Sequence, residues 1–240
     1  MIRALGVKKS FEKQHVLKGV SLDVRDNETM VILGPSGQGK TVFIKTLVRL
    51  MEPDEGVIEY DGVDILKLKD RQLQEFRKNI AFVFQNSALF DFLNVRENMA
   101  LYLRMHRAFR EEEIEERIVN ALHVVGLQEE VLDKFPEELS GGMKKRVAIA
   151  RAIVKEPRYL FYDEPTTGLD RRNSQLVSEL IGMLKKEIRV TSVVVTHDIL
   201  LMREVSDRVA LLKDGAIFSI GTKEELSPET LNYLYETGDE

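Results

Sequence analysis

The chain has 240 residues, with 35 Lys and Arg against 40 Asp and Glu, a formal net charge of −5 and no cysteine. Such a length suffices for one large domain or two small ones around a sizeable core. The intermixed charges argue against bulk nucleic-acid binding, and the missing thiol excludes disulfides, thiol catalysis and thiolate metal sites. Charge interrupts the N-terminus before a signal-like apolar region forms, and no uninterrupted apolar run approaches the roughly 18 residues of a membrane span. The chain is therefore expected to be soluble and cytoplasmic, and to meet a membrane by docking on a partner.

In chain order, the first part reads as β-rich. Residues 16–24 alternate loosely, and 30–33 form a short apolar run of the kind buried on both faces. A helix is predicted over 42–51, and two strands around the Asp61-Gly62 turn within 56–65. Residues 96–110 read helical. From Glu111 onward Ile114, Ile118, Leu122 and Val125 recur at helical spacing, which predicts a surface helix with one buried stripe. With another helix at 147–154, residues from about 86 to 156 form a candidate helical subdomain inserted into an α/β core.

Apolar runs at 159–162 and 192–195 predict further buried strands, separated by a helix over 173–187. Strands alternating with helices imply a largely parallel sheet. A hairpin is expected around Asp214-Gly215. Ser227 then reads as an N-cap before Pro228, opening a helical tail over about 225–240 with an apolar stripe of Leu231, Leu234 and Tyr235. That stripe is expected to pack on its own domain, the alternative being a docking site for a regulatory subunit. The whole of 1–240 is read as a single domain.

Residues Gly34, Pro35, Ser36, Gly37, Gln38, Gly39, Lys40 and Thr41 fit G-x-x-x-x-G-K-[ST] between a predicted strand and a predicted helix. The glycines permit tight turns whose N–H groups converge on phosphate oxygens at a helix N-terminus. Lys40 would reach the β- and γ-phosphates, and the Thr41 hydroxyl would coordinate Mg²⁺. Asp163 ends the run at 159–162 and is placed to serve the metal directly or through water. Glu164 follows it as the candidate general base. Gln85 ends the run at 80–84, and its neutral oxygen could ligate Mg²⁺ or water. His197 ends the strand at 192–195; a lone histidine there is more often an ordinary hydrogen-bonded residue than a catalytic one.

A second glycine element, Leu139, Ser140, Gly141, Gly142 and Met143, opens an apolar-periodic helix far from the first. Ser140 is a good N-cap, Gly141 and Gly142 leave backbone N–H groups open, and Val147, Ala150 and Val154 give the helix a buried face. Such an N-terminus suits a γ-phosphate; a capped, purely structural helix is the alternative. Two separate elements of this kind suggest two surfaces around one nucleotide.

Taken together and in this order, these motifs resemble the ATP-binding subunits of ABC transporters, over nearly the whole chain. The resemblance implies a P-loop NTPase core with a mostly parallel sheet, an antiparallel β subdomain and an inserted helical subdomain. It matches residues 34–41 to the Walker A, Gln85 to the Q-loop, 139–142 to the signature, 159–164 to the Walker B, the segment ending in Asp170 to the D-loop and His197 to the switch histidine. Phe11 matches the aromatic that stacks on adenine, with a core aromatic as the alternative.

The resemblance further implies ATP and Mg²⁺ as ligands, and a second copy of the chain placed head to tail so that each ATP lies between one Walker A and the other signature. Transmembrane permease subunits would be driven by it from a peripheral position on the inner face of the cytoplasmic membrane. Met143 stands where the signature usually has Gln, and Arg171 where many relatives have Pro. Met143 and the stretch Ala88-Leu89-Phe90 look most like the ATPases of Mla-type phospholipid transport systems, which partner a permease, an Mce-domain lipid-binding protein and, in similar systems, a small regulatory subunit. Polar solute import and lipoprotein release are the alternatives, a non-transport soluble ABC ATPase is a more remote one, and no nucleic-acid partner is expected. Leu89, Phe90, Phe92 and Leu93 either fill the subdomain core or flank a groove for a cytoplasmic helix of the permease.

Overall fold

Successive residues of the apolar run at 30–33 alternate between two separate cores. Met30 and Ile32 face one, Val31 and Leu33 the other, and all four are fully buried. This is the pattern of a strand covered on both faces, which explains why the run is continuous rather than alternating with polar residues. The structure, a computed structural model, describes residues 1–106 and 109–235. The expected helix over 96–110 and the tail over 225–240 therefore fall partly outside the described residues.

The chain begins with β1 (Ile2–Phe11), β2 (Gln14–Val24) and β3 (Thr29–Leu33), followed by the phosphate loop and α1 (Lys40–Leu47). Next come β4 (Glu55–Tyr60), β5 (Val63–Asp64), α2 (Asp70–Arg77) and β6 (Ile80–Val83). Helices α3 (Val95–His106), α4 (Glu111–Val124) and α5 (Gly141–Ile153) precede β7 (Tyr159–Asp163) and α6 (Arg171–Ile188). The chain then runs through β8 (Thr191–Thr196), α7 (Ile199–Val205), β9 (Arg208–Lys213), β10 (Ala216–Thr222) and α8 (Pro228–Tyr235).

One sheet has the order β2-β1-β4-β5 and is antiparallel; the other runs β10-β9-β3-β8-β7-β6, parallel except for β10. The antiparallel sheet and α1 cover one face of the parallel sheet, sharing a core that includes Val20, Phe43, Ile44 and Phe161. Helices α3 to α7 cover the other face, through Met99, Ile118, Val147, Ile181 and Leu201. Fully burying a side chain of this size contributes about 1.5–3 kcal/mol, so the sheet is fixed from both sides.

Several boundaries differ from the sequence reading for local reasons. The first helix begins at Lys40, two residues early, because Gly39 at φ 95 turns the loop directly into it. It ends at Leu47 rather than 51, where Arg49 takes φ 51 and its guanidinium donates to the carbonyls of Ile65 and Leu68. The helix expected from 173 starts at Arg171, because Asp170 caps it by accepting from the Asn173 N–H at 2.8 Å. The sequence pattern does not mark out strand β1 or helices α2 and α7 individually. In α8, Ser227 Oγ accepts from Thr230 N–H at 3.2 Å and Leu234 is fully buried in the domain's own core, with Leu231 packed beside it. Of the residues with two readings, Leu89 packs on the core, while Phe92 is 76% exposed.

Candidate functional site

Strand order brings the site together. Along the carboxyl edge of the parallel sheet, β3 leads into the phosphate loop, β8 into His197, β7 into Glu164 and β6 toward Gln85. Crevices outside the carboxyl ends of parallel strands are where open α/β sheets bind ligands. A cavity of about 460 Å³ lies there, lined by Phe11, Lys40, Thr41, Gln85, Glu164 and His197, together with Ser36, Gly37 and Gly39 of the loop. Phe11 is 43% exposed, so its ring is available to a flat ligand rather than being sequestered in a core.

The charged groups are buried and interlocked. Lys40 is 4% exposed; its ammonium donates to the carbonyls of Gly34 and Pro35, each at 2.8 Å, and lies 3.2 Å from Glu164 Oε1. The other carboxylate oxygen of Glu164 accepts from the His197 ring at Nδ1, 2.9 Å away, and from the hydroxyls of Thr167 at 3.2 Å and Thr196 at 3.3 Å. Glu164 sits at φ 47, in the left-handed region that a side chain with Cβ disfavours. Its N–H, bonded to the Val195 carbonyl at 2.9 Å, ties that turn to the next strand. Strain of this sort, held by surrounding bonds, is typical of sites where one side chain must point in one direction.

Beside it, the Thr41 hydroxyl donates to Asp163 Oδ1 at 2.8 Å, and burial holds the Asp163 carboxyl above its ordinary pKa. A desolvated carboxylate paired with a hydroxyl is a hard oxygen donor set that fits Mg²⁺, with Gln85 facing the same cavity. Among the described residues, no group of three His, Cys, Asp or Glu side chains is placed to hold a metal alone.

Not every candidate converges. Gln38 turns away, its side-chain oxygen accepting from the Asp214 N–H in the β9–β10 turn at 2.5 Å. Asp170 is occupied as the cap of α6. Among the described residues, none of Leu139, Ser140, Gly141, Gly142 or Met143 lines the cavity. Ser140 does cap α5, its Oγ accepting from Met143 N–H at 3.3 Å. Gly142 has a steric reason as well, since a Cβ there would overlap the Asn173 side chain, with Cγ at 2.6 Å.

Sequence reasoning missed Thr167 and Thr196, the hydroxyls that orient Glu164, and Gln14 and Val16, which wall the cavity beside Phe11. Missed too was Lys145, 2% exposed, whose ammonium burial lowers to about 8. Thr167, Thr196, Gln14 and Lys145 each lie within three residues of a candidate already named, but nothing in the sequence says which way their side chains turn.

On the far side of β6, an apolar groove of about 550 Å³ is lined by Leu50, Phe84, Ala88, Phe90, Leu101 and Met105, among others. Met105 is 73% and Phe90 43% exposed.

The sequence profile of the family described as "ABC transporter" matches residues 17–167. The chain is 38% identical over 225 residues to the "Probable ribonucleotide transport ATP-binding protein mkl" of Mycobacterium leprae, covering 94% of this chain and 65% of that relative. It is 39% identical over 234 residues to the "L-cystine import ATP-binding protein TcyN" of Bacillus subtilis, covering 96% of this chain and 89% of the relative. Its fold matches a dimeric ATP-binding cassette in a post-hydrolysis state bound to ADP and Pi with a TM-score of 0.85 and 34% identity, covering 92% of this chain and 98% of the other. The chain thus spans somewhat less than two thirds of the length of the mycobacterial relative.

Proposed function

The chain belongs to the ABC transporter family, and on that premise we propose that it binds and hydrolyses ATP as the motor subunit of a membrane transporter. The observation that carries this reading is the meeting of Lys40, Thr41, Glu164 and His197 at one cavity, with Asp163 held to Thr41 by a 2.8 Å hydrogen bond. In this account the loop N–H groups and Lys40 cradle the phosphates and Phe11 stacks on the base, a contact worth about 1–3 kcal/mol. Mg²⁺, held by Thr41, Asp163 and Gln85, would neutralise charge on the phosphates. Glu164 orients a water and takes its proton as the water oxygen bonds to the γ-phosphorus and the bond to ADP breaks. His197 keeps that carboxylate aimed.

The signature lies outside the chain's own nucleotide cavity, which supports a composite site: Ser140 and the following N–H groups, at the N-terminus of α5, would meet the γ-phosphate held by a second copy, and Asp170 would lie near the same junction. The solved cassette that this chain resembles is itself dimeric. We also retain the single-domain reading of 1–240, with its helical subdomain and C-terminal tail; a core continuous from the parallel sheet into α3, α4 and α5 supports it.

For the cargo, the reading is phospholipid transport, supported by Met143 and the Ala88-Leu89-Phe90 stretch. The apolar groove, with Ala88 and Phe90 in its wall, is the surface offered to a permease helix, in a system that would include an Mce-domain protein and a small regulatory subunit. The chain would sit peripherally on the cytoplasmic face of the membrane; among the described residues no helix is long and apolar enough to cross one. Two measurements test this. Purified chain should release phosphate from ATP in a Mg²⁺-dependent manner, and absence of turnover would reject the motor. Mild-detergent purification from the native membrane should recover a permease with an Mce-domain protein, whereas a solute-binding protein would replace lipid by a polar solute.

A further inference from the structure

Helix α5 sends two cations into the loop that leaves β6. The buried Lys145 ammonium donates to the Gln85 carbonyl at 2.5 Å, with the Phe84 carbonyl at 3.5 Å. From the same helix, the Arg151 guanidinium donates to the carbonyls of Ser87 at 2.8 Å and Ala88 at 2.6 Å. Charged donors make the stronger class of hydrogen bond, and the planar guanidinium suits two neighbouring carbonyls at once.

The loop needs an external hold. Ser87 and Ala88 stand at φ 60 and φ 48, consecutive left-handed residues that each carry a Cβ. Within the loop, Ser87 N–H bonds to the Phe84 carbonyl and Ala88 N–H to that of Asn86, both too local to anchor it to the domain. The anchored loop serves two places: Gln85 faces the nucleotide cavity, whereas Ala88 and Phe90 line the apolar groove. The helix supplying the cations begins at the Ser140 cap.

We propose that Lys145 and Arg151 are positioning residues that clamp the 84–88 loop to the signature helix, so that Gln85, the groove wall and Ser140 move as one unit. The kinetic part of this inference rests on the ATP-hydrolysis reading; the structural part does not.

The test compares full-length wild type with Lys145→Met, Arg151→Met and Arg151→Lys by amide hydrogen exchange and by ATP turnover. In both Met variants, the amides of Ser87 and Ala88 should exchange about tenfold faster or more, while those of β3 and β7 stay as in wild type. Turnover should fall about fivefold or more in kcat with KM for ATP changed less than about twofold, and Arg151→Lys should recover part of the loss. Unchanged exchange at 86–90, or acceleration spread evenly over the whole chain, overturns the clamp. If Lys145→Met does not fold, Arg151→Met and Arg151→Lys decide alone. If wild type releases no phosphate, the motor reading fails while the exchange result still decides the clamp.

Discussion

His197 and Glu164 lie 33 residues apart at the ends of adjacent parallel strands, and their side chains meet at 2.9 Å, Nδ1 to Oε2. The same carboxylate reaches Lys40 through its other oxygen. Glu164 is thus oriented from two sides and points into the nucleotide cavity. Glu164→Gln should still bind ATP, because no phosphate donor is removed, and should lose about 10²–10⁴-fold in turnover, the range for deleting a general base. Phosphate release and ATP titration check this, and near-normal turnover would remove Glu164 from the role.

If His197 acts through Glu164, the two losses overlap. His197→Ala should slow hydrolysis, and the double variant His197→Ala with Glu164→Gln should fall within about threefold of Glu164→Gln alone, because residues working as a unit are strongly non-additive. Multiplying losses in steady-state kinetics would mean that His197 contacts the reacting groups independently.

Gly142 is required by packing as well as by any phosphate contact. Overpacking a tight site usually costs about 1–3 kcal/mol, against up to about 1 kcal/mol that Ala returns in a helix. Gly142→Ala should therefore destabilise the fold by about 1 kcal/mol in urea titrations, the middle of the overpacking range less the helix gain. In an Asn173→Ala background the overlapping amide is gone, and the same change should become neutral or stabilising. A penalty that persists there would place the constraint elsewhere.

The sheet and most helices were legible because burial on both faces writes continuous apolar runs, as at 30–33 and 159–162, and burial on one side writes helical periodicity, as in α4. The phosphate loop was legible because a fixed glycine spacing is the only economical way to aim several N–H groups at one point. What stayed hidden depends on long-range placement. Lys145 and Arg151 look like solvated helix cations until the fold brings the 84–88 carbonyls onto α5. Likewise, a threonine beside a candidate residue does not announce that its hydroxyl will meet Glu164. The end of α1 was misjudged because the left-handed Arg49 is held by its own guanidinium, which reaches the distant Leu68 carbonyl.

Lys155 supplies a pH test of the groove. Its ammonium lies 4.4 Å from the centre of the Tyr102 ring, and burial pushes it down from the usual lysine value to about 8. Between that value and the ordinary value of about 10.5, the unfolded chain binds the proton more tightly than the folded one, so this residue's contribution to stability rises with pH across the window. The stability of wild type relative to Lys155→Met should therefore increase from pH 7 to pH 10 in paired urea titrations. A pH-independent difference would mean that the ammonium is solvated.

If each chain holds half of a shared ATP site, light scattering on the Glu164→Gln chain should reveal the pairing. With ATP and Mg²⁺ this chain should run as a dimer, with ADP as a monomer, and adding Ser140→Arg should abolish the dimer while ATP binding persists. An oligomeric state indifferent to ATP, or a Ser140→Arg chain that dimerises equally well, would mean that the site is not shared through the signature.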